Sequence, residues 1–355
     1  MSVPFRVGVM QLTMEPMEEI LSHARLLDEH DFDTLWLAEA YPWWRKHQME
    51  ARSSTALSPL IGRDTNQLTV AWGIISPYTR HPIQVAMEAR VTQEAAPGRF
   101  IVGFGASKIF MKETGDEDGL PKPVPAIRDS VAIVRGVLGG ERFDYEGKAF
   151  SAHVPPLSDQ AQSPRGSVPV YVAGTGPLMQ KLAGKVGDGL LTASITTPAF
   201  VRYSRDNMAE GARDAGRDVD DLDLGCTIVA SIHATDRDRG RQGAREIAGM
   251  YLANKVQNIQ GSADVLLQSA DLEPQEIAPI AEAMEQGGRS AAAQAVTDAI
   301  LDKCKPIAGT PADCIAAIES YREAGCTHIM LELWGEDRDE QIALFGREVL
   351  PHVRG

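Results

Sequence analysis

The residues of this chain best suited to chemistry sit in short loops that follow apolar, β-prone runs. The clearest is Gly73-Ile74-Ile75-Ser76-Pro77-Tyr78-Thr79-Arg80-His81-Pro82. Here an apolar strand ends in a corner stiffened by two prolines, with Thr79, Arg80 and His81 supplying polar groups between them. A second loop, Glu39-Ala40-Tyr41-Pro42-Trp43-Trp44-Arg45-Lys46-His47, sets a carboxylate beside aromatic side chains. Tyr41, Trp43 and Trp44 suit a pocket for a flat or extended substrate, with Glu39 accepting a hydrogen bond or transferring a proton. The structural alternative has the tryptophans capping the fold and Glu39 paired with Arg45 or Lys46. His81 is a catalytic candidate or an anchor for the helix opening at Pro82, and its loop-to-helix position favours the anchor.

Two further loops invite a ligand. Gly103-Phe104-Gly105-Ala106-Ser107-Lys108 offers small residues through which a ligand can approach the backbone, and ends in Lys108, a candidate proton-transfer group. Ala173-Gly174-Thr175-Gly176-Pro177 runs from a strand straight into a helix. Exposed amides at the positive end of a helix dipole, beside glycines that leave room, form an anion site suited to a phosphate. Thr192, Ser194 and Thr196, after the next strand, add hydroxyls on the same side. The chain has no GxSxG elbow, HExxH, strand-borne His-x-His pair or GxxxxGK[ST] loop, so hydrolase, kinase and metal-centre readings fall away and no metal is expected.

The elements that must position these loops alternate in type. Strands are expected over 5–11, 34–38, 68–75, 100–105, 168–173, 189–193, 222–230 and 326–333, with helices between most of them. A small hairpin is expected over 143–151. Residues from about 236 to 305 are helix-prone without an obvious strand and read as a helical insertion before the last βα unit, within one domain spanning 1–355. Eight strands in this order predict an α/β protein built as a (β/α)8 TIM barrel, with a doubly wound sheet as the weaker alternative. In such a barrel the loops after the strands carry the active site.

Composition bounds the function without naming it. With 355 residues and 43% hydrophobic residues the chain can bury a barrel core. A formal charge of −14 argues against nucleic-acid and anionic-membrane surfaces. No apolar run approaches a membrane span and the N-terminus enters a strand directly, so a cytoplasmic location is expected. Cys226, Cys304, Cys314 and Cys326 show no CxxC or metal spacing and read as reduced packing thiols.

The stretch Gly73 to Pro82, the Ala173 to Pro177 loop with Gly184, Gly187 and Gly189 beyond it, and Ala308-Gly309-Thr310-Pro311-Ala312-Asp313-Cys314 closely resemble the bacterial luciferase-like superfamily. Within it the resemblance is to the methylenetetrahydromethanopterin reductase-like branch, whose members use coenzyme F420. It implies an F420-dependent oxidoreductase moving a hydride between the deazaflavin C5 and a small organic substrate. The runner-up is an FMN-dependent monooxygenase, and a third possibility is a non-catalytic flavin-binding barrel. The resemblance further implies a cis Gly73-Ile74 bond backing the cofactor ring, backbone groups of Ile75 and Ser76 at the ring edge, and Ala106 beside it. Ala173, Gly174, Thr175, Gly176 and Pro177 would hold the cofactor phosphate with Thr192, Ser194 and Thr196. Ala40 stands where relatives often have histidine, Lys108 where some carry an acid, and Thr196 where some deazaflavin enzymes use lysine. A homodimer is expected on the same ground.

Overall fold

The computed structural model describes residues 3–39, 51–107, 119–156, 168–256, 262–334 and 337–354. In chain order these form β1 (Arg6–Leu12), α1 (Met17–Glu29), β2 (Thr34–Ala38), α2 (Ser54–Asp64), β3 (Thr69–Trp72), α3 (Pro82–Ala95), β4 (Phe100–Phe104) and α4 (Pro123–Gly139). A hairpin of β5 (Phe143–Glu146) and β6 (Ser151–Val154) is followed by β7 (Val170–Ala173), α5 (Pro177–Val186), β8 (Gly189–Leu191), α6 (Pro198–Asp214) and β9 (Asp223–Ile232). Then come α7 (Arg237–Val256), α8 (Ser262–Ser269), α9 (Pro274–Ala295), α10 (Asp298–Lys303), β10 (Ile307–Gly309), α11 (Pro311–Glu323), β11 (His328–Leu333), α12 (Arg338–Glu348) and α13 (Leu350–Val353).

β1 lies in parallel between β2 and β11, and the order β9-β11-β1-β2-β3-β4-β7-β8 returns to its start because β8 also pairs with β9. Gly189, Leu190 and Leu191 register with Asp223, Leu224 and Gly225 to close the ring. The fold is therefore a (β/α)8 barrel, and closure rules out the doubly wound sheet. Alternation along the strands sorts the apolar residues. Met10, Trp36, Ala71, Ile101, Tyr171, Leu191 and Met330 meet inside the barrel. Val9, Leu35, Leu37, Val70, Val102, Val172 and Leu331 pack outward against the helices.

Proline placed one residue into α3, α4, α5, α6 and α11 explains where these helices begin, since the first turn needs no N–H there. Thr197 accepts the Phe200 N–H to cap α6, and Thr310 forms a reciprocal capping box with Asp313 at α11.

Three elements differ from the expectation. Helix α2 follows the β2 loop, where periodicity was weak because Pro59, Gly62 and small polar residues interrupt it. The hairpin is longer than expected, with β6 running to Val154. β10 is a three-residue strand that extends the edge of β9 rather than joining the ring, too short to register as an alternating run. The insertion helices share an apolar cluster with the barrel, in which Ile247, Leu252, Leu267, Ile277 and Ile280 pack with Ile195 and Val229.

The opposite end of the barrel holds a buried polar plug. Asp223 accepts hydrogen bonds from Arg6, Tyr171 and Thr327, and lies 3.1 Å from His328 Nδ1, whose Nε2 is 2.7 Å from Thr34 Oγ1. Burial works against the Asp223 charge, yet the attraction of the groups around it, Arg6 foremost among the fixed cations, holds its carboxyl well below the usual range. Burial keeps His328 below its usual value despite that carboxylate. All four cysteines are buried free thiols, and burial pushes Cys304 up to about 12.

Candidate functional site

At the C-terminal ends of the strands, one step beyond the inner apolar layer, alternation brings Leu12, Ala38, Gly73, Gly103, Ala173, Ala193 and Glu332 toward the barrel axis. Val229 of β9, in register with Glu332, completes the layer, and five of its eight residues are alanine or glycine, so the mouth has a low floor. A Cβ at Gly73 would stand 3.0 Å from Trp36 Cε3 and 3.1 Å from Met10 Cε, and one at Gly105 would stand 2.8 Å from Ile74 Cγ1. These glycines let the loops after β3 and β4 settle directly onto the barrel interior.

The Gly73-Ile74 peptide is cis, and both residues are half-buried at the mouth. Ile75 is fully buried. Its N–H donates to the Gly103 carbonyl at 2.8 Å and its carbonyl accepts the Gly105 N–H at 3.2 Å, so its backbone extends the β3–β4 ladder. Ser76 is buried as well, its hydroxyl donating to the Ala106 carbonyl at 3.0 Å, while Thr79 Oγ1 donates to the Ser76 carbonyl. The segment is thus fixed to the neighbouring loop at Gly103, Gly105 and Ala106.

Glu39, at the end of β2, meets Arg80 of that segment. Nη1 donates to Oε2 and Nη2 to Oε1, each at 2.8 Å, and the Ser54 N–H approaches Oε1 at 3.2 Å. Burial opposes the Arg80 charge, but Glu39 and Glu88 more than offset it and raise its pKa. Arg45 and Lys46, the cations expected beside Glu39, lie outside the described residues. His81 caps α3: its Nδ1 accepts the Ile83 N–H at 3.2 Å, and its ring meets Phe150 edge-on. This is the anchor arrangement. Tyr41, Trp43, Trp44 and Lys108 lie outside the described residues.

After β7 the glycine loop enters α5. The Gly174 N–H donates to the Leu191 carbonyl at 3.1 Å, and a Cβ on Gly174 would meet Met179 Cγ at 2.4 Å, so Gly174 contributes space rather than a free amide. Gly176 is the N-cap, and the helix starts with no side-chain cap and no acidic residue in its first turn. Buried Gln180 holds the loop from behind, its amide reaching the Gly174 and Thr175 carbonyls and Ser204 Oγ. An uncapped helix start of this kind attracts an anion. Thr192 and Thr196 are 2.7 Å apart through their hydroxyls, and Thr196 Oγ1 donates to the Ala193 carbonyl.

Ser194 turns elsewhere, to a residue the sequence reading missed. Its hydroxyl donates to Glu332 Oε2 at 2.7 Å, and Tyr251 of α7 donates to Glu332 Oε1 at 2.5 Å. Burial pushes the Glu332 carboxyl above its ordinary range, against the hydrogen bonds of Tyr251, Ser194 and Trp334 and the charge of Arg338. The signal was present: in His328-Ile329-Met330-Leu331-Glu332-Leu333 a carboxylate sits in register with the inward residues, where a solvated face would not be expected. A cavity of about 160 Å³ lies between the ends of β1 and β11, lined by Gln11, Met14, Glu15, Arg289, Trp334 and Arg338 among others.

Residues 1–328 match a family model described as luciferase-like monooxygenase. The chain belongs to that family. This luciferase-like chain is 28% identical over 348 residues to a 5,10-methylenetetrahydromethanopterin reductase of Methanolobus tindarius, covering 97% of this chain and 99% of the relative. It is 26% identical over 342 residues to an F420-dependent glucose-6-phosphate dehydrogenase of Rhodococcus erythropolis, covering 95% and 94%. The structure of the coenzyme F420 dependent tetrahydromethanopterin reductase from Methanopyrus kandleri superposes with a TM-score of 0.86 and 25% identity across 99% of both chains. The likeness thus spans nearly the whole of this chain and of each of these relatives. Among its described residues, no helix is long and apolar enough to cross a membrane.

Proposed function

We propose that this chain is an oxidoreductase that binds coenzyme F420 at the barrel mouth, where a hydride moves between the deazaflavin C5 and a small organic substrate. The observation that carries the reading is the full-length likeness to F420-dependent enzymes, at a TM-score of 0.86 over 99% of both chains for the Methanopyrus reductase. The mouth suits such a group: its floor of alanine and glycine admits a flat ring against Gly73-Ile74, and the uncapped start of α5 with Gly176 suits a phosphate.

When bound, the deazaflavin supplies the hydride chemistry itself. The chain supplies orientation and proton control. Glu39 is held by the two-pronged bond from Arg80, and with Oε1 also accepting the Ser54 N–H, Oε2 retains a lone pair for a hydrogen bond from ring or substrate. Ser76, tied to Ala106, fixes the gap between the β3 and β4 loops in which the ring edge would rest. Holding both reactants in one geometry is the larger part of what such a site contributes.

A second reading, an FMN-dependent monooxygenase, is favoured by the family's own description. Equilibrium titration of the purified protein with each cofactor, followed by absorbance and fluorescence, separates the two. Tighter binding of coenzyme F420 supports the first reading, and binding of FMN alone replaces it with the second. We also infer a homodimer, supported by Met87 and Val91, one turn apart and 65% and 55% exposed on α3, with Leu60 exposed on neighbouring α2.

A further inference from the structure

Two carboxylates stand at the C-terminal ends of barrel strands, and their surroundings differ in kind. Glu39 is ion-paired: Arg80 occupies both oxygens. Glu332 is 1% exposed, and its hydrogen-bonding neighbours are Ser194, Tyr251 and Trp334, none of them a cation. The charged groups around it are engaged elsewhere. Arg338, on α12, is bound to Glu15 at 2.7 Å, and Arg289, on α9, lies over the Trp334 ring with its guanidinium 5.2 Å from the ring centroid. A buried carboxyl without a bound cation is costly to ionise, and this favours its protonated form.

The neighbours of Glu332 are placed to be that route. Ser194 belongs to the loop leaving β8, and Tyr251 to α7 of the insertion, so the carboxyl joins the barrel, that loop and the insertion at one point. Ile195, next to Ser194, adopts φ 67° with its side chain buried among Val229, Ala244 and Ile247. A β-branched residue in the left-handed region is held there only by surroundings that over-determine it, and the result is a Ser194 hydroxyl aimed inward.

We propose that Glu332 is a positioning residue that stores the reaction's proton and delivers it to the mouth through the hydroxyls of Ser194 and Tyr251. This rests on the oxidoreductase reading above, with a reduced deazaflavin as hydride source and a C=O, C=N or C=C bond in the substrate. The substrate carbon gains a hydrogen with two electrons, and the atom at the other end of the reduced bond gains a proton. When Glu332 is protonated its O–H donates to one of these two hydroxyls, and that hydroxyl passes its own proton to the substrate as its oxygen takes the Glu332 proton. Glu332 is left as a carboxylate, and solvent restores its proton after product leaves.

The experiment uses full-length wild type, Glu332→Gln and Tyr251→Phe. Infrared difference spectra of the cofactor-free proteins against pH read the carboxyl directly. A protonated carboxyl band that persists above the ordinary glutamate range in wild type and is missing in Glu332→Gln is expected. With coenzyme F420 bound, single-turnover rates of wild type should fall on the alkaline side. Glu332→Gln should lose that limb and run about 10²-fold slower with unchanged cofactor affinity, and Tyr251→Phe should keep the band while slowing turnover. A band that titrates in the ordinary range overturns the proposal, as does a Glu332→Gln profile of wild-type shape, which is what a merely structural residue would give. Failure of wild type to bind any deazaflavin defeats the cofactor reading and this role with it, whereas binding with an unaltered variant profile defeats this role alone.

Discussion

Glu39 and Arg80 lie 41 residues apart and meet in a two-pronged ion pair, with both N–O distances 2.8 Å. The pair joins the loop after β2 to the loop after β3, and is largely shielded, with side-chain exposures of 10% and 18%. Planar pairing of this kind fixes orientation as well as charge.

Replacing Glu39 by glutamine keeps the shape and removes the charge. Turnover should fall about 10²-fold, the scale of lost acid–base or charge assistance, while circular dichroism stays near wild type and the melting temperature falls modestly, since Glu88 remains beside Arg80. Full turnover in the variant would reduce the pair to a clasp between loops.

Gly176→Val tests the phosphate reading at α5. Gly176 has φ −86° and ψ 153°, an extended conformation that valine adopts without strain, so the effect is confined to the added side chain. Affinity for coenzyme F420 should drop at least about 10-fold with stability unchanged, the loss of roughly one charge-assisted hydrogen bond. Unchanged affinity by fluorescence titration would move the phosphate elsewhere.

Asp223→Asn addresses the plug at the far end of the barrel. The substitution leaves Arg6 partly buried beside no counter-charge and should cost about 3 kcal/mol or more in urea unfolding at neutral pH. Because the folded carboxyl lies below its unfolded value of 3.8, its stabilisation is present above that pH and is lost as pH falls through the folded value. The gap between wild type and variant should therefore narrow in acid. A constant gap from pH 7 downward would mean that the charge is not what stabilises the plug.

Glu332→Gln should show the opposite dependence. The folded carboxyl lies above its unfolded value of 4.5, so its contribution is present below that pH and lost as pH rises through the folded value. Thermal melts should show the variant gaining on wild type between pH 4.5 and the pH at which Glu332 ionises. A gap that ignores pH would place the carboxyl in a more polar setting than its neighbours imply.

Charges at Met87 and Val91 should dissociate the inferred dimer. The double variant Met87→Glu, Val91→Glu should sediment as a monomer of 38.5 kDa where wild type sediments at twice that mass. A wild-type monomer would remove the inference altogether.

The barrel was legible along the chain because its rules are local. Apolar runs such as Val7 to Met10 and Ile329 to Leu331 need only their own residues to read as strands, and Pro82, Pro177 and Pro311 mark helix starts through backbone chemistry alone. The loops that reach the mouth followed from strand order. Which groups meet there did not. Arg80 pairs with Glu39, the Gly174 amide goes to Leu191, and Ser194 turns from the phosphate side to Glu332, and each partner is 17 to 138 residues away. Sequence fixes the period that sends Glu332 inward, but only ring closure and the insertion folding back bring Tyr251 and Ser194 to its two oxygens. Long-range pairing of polar groups depends on three-dimensional packing, and one sequence carries no local trace of it.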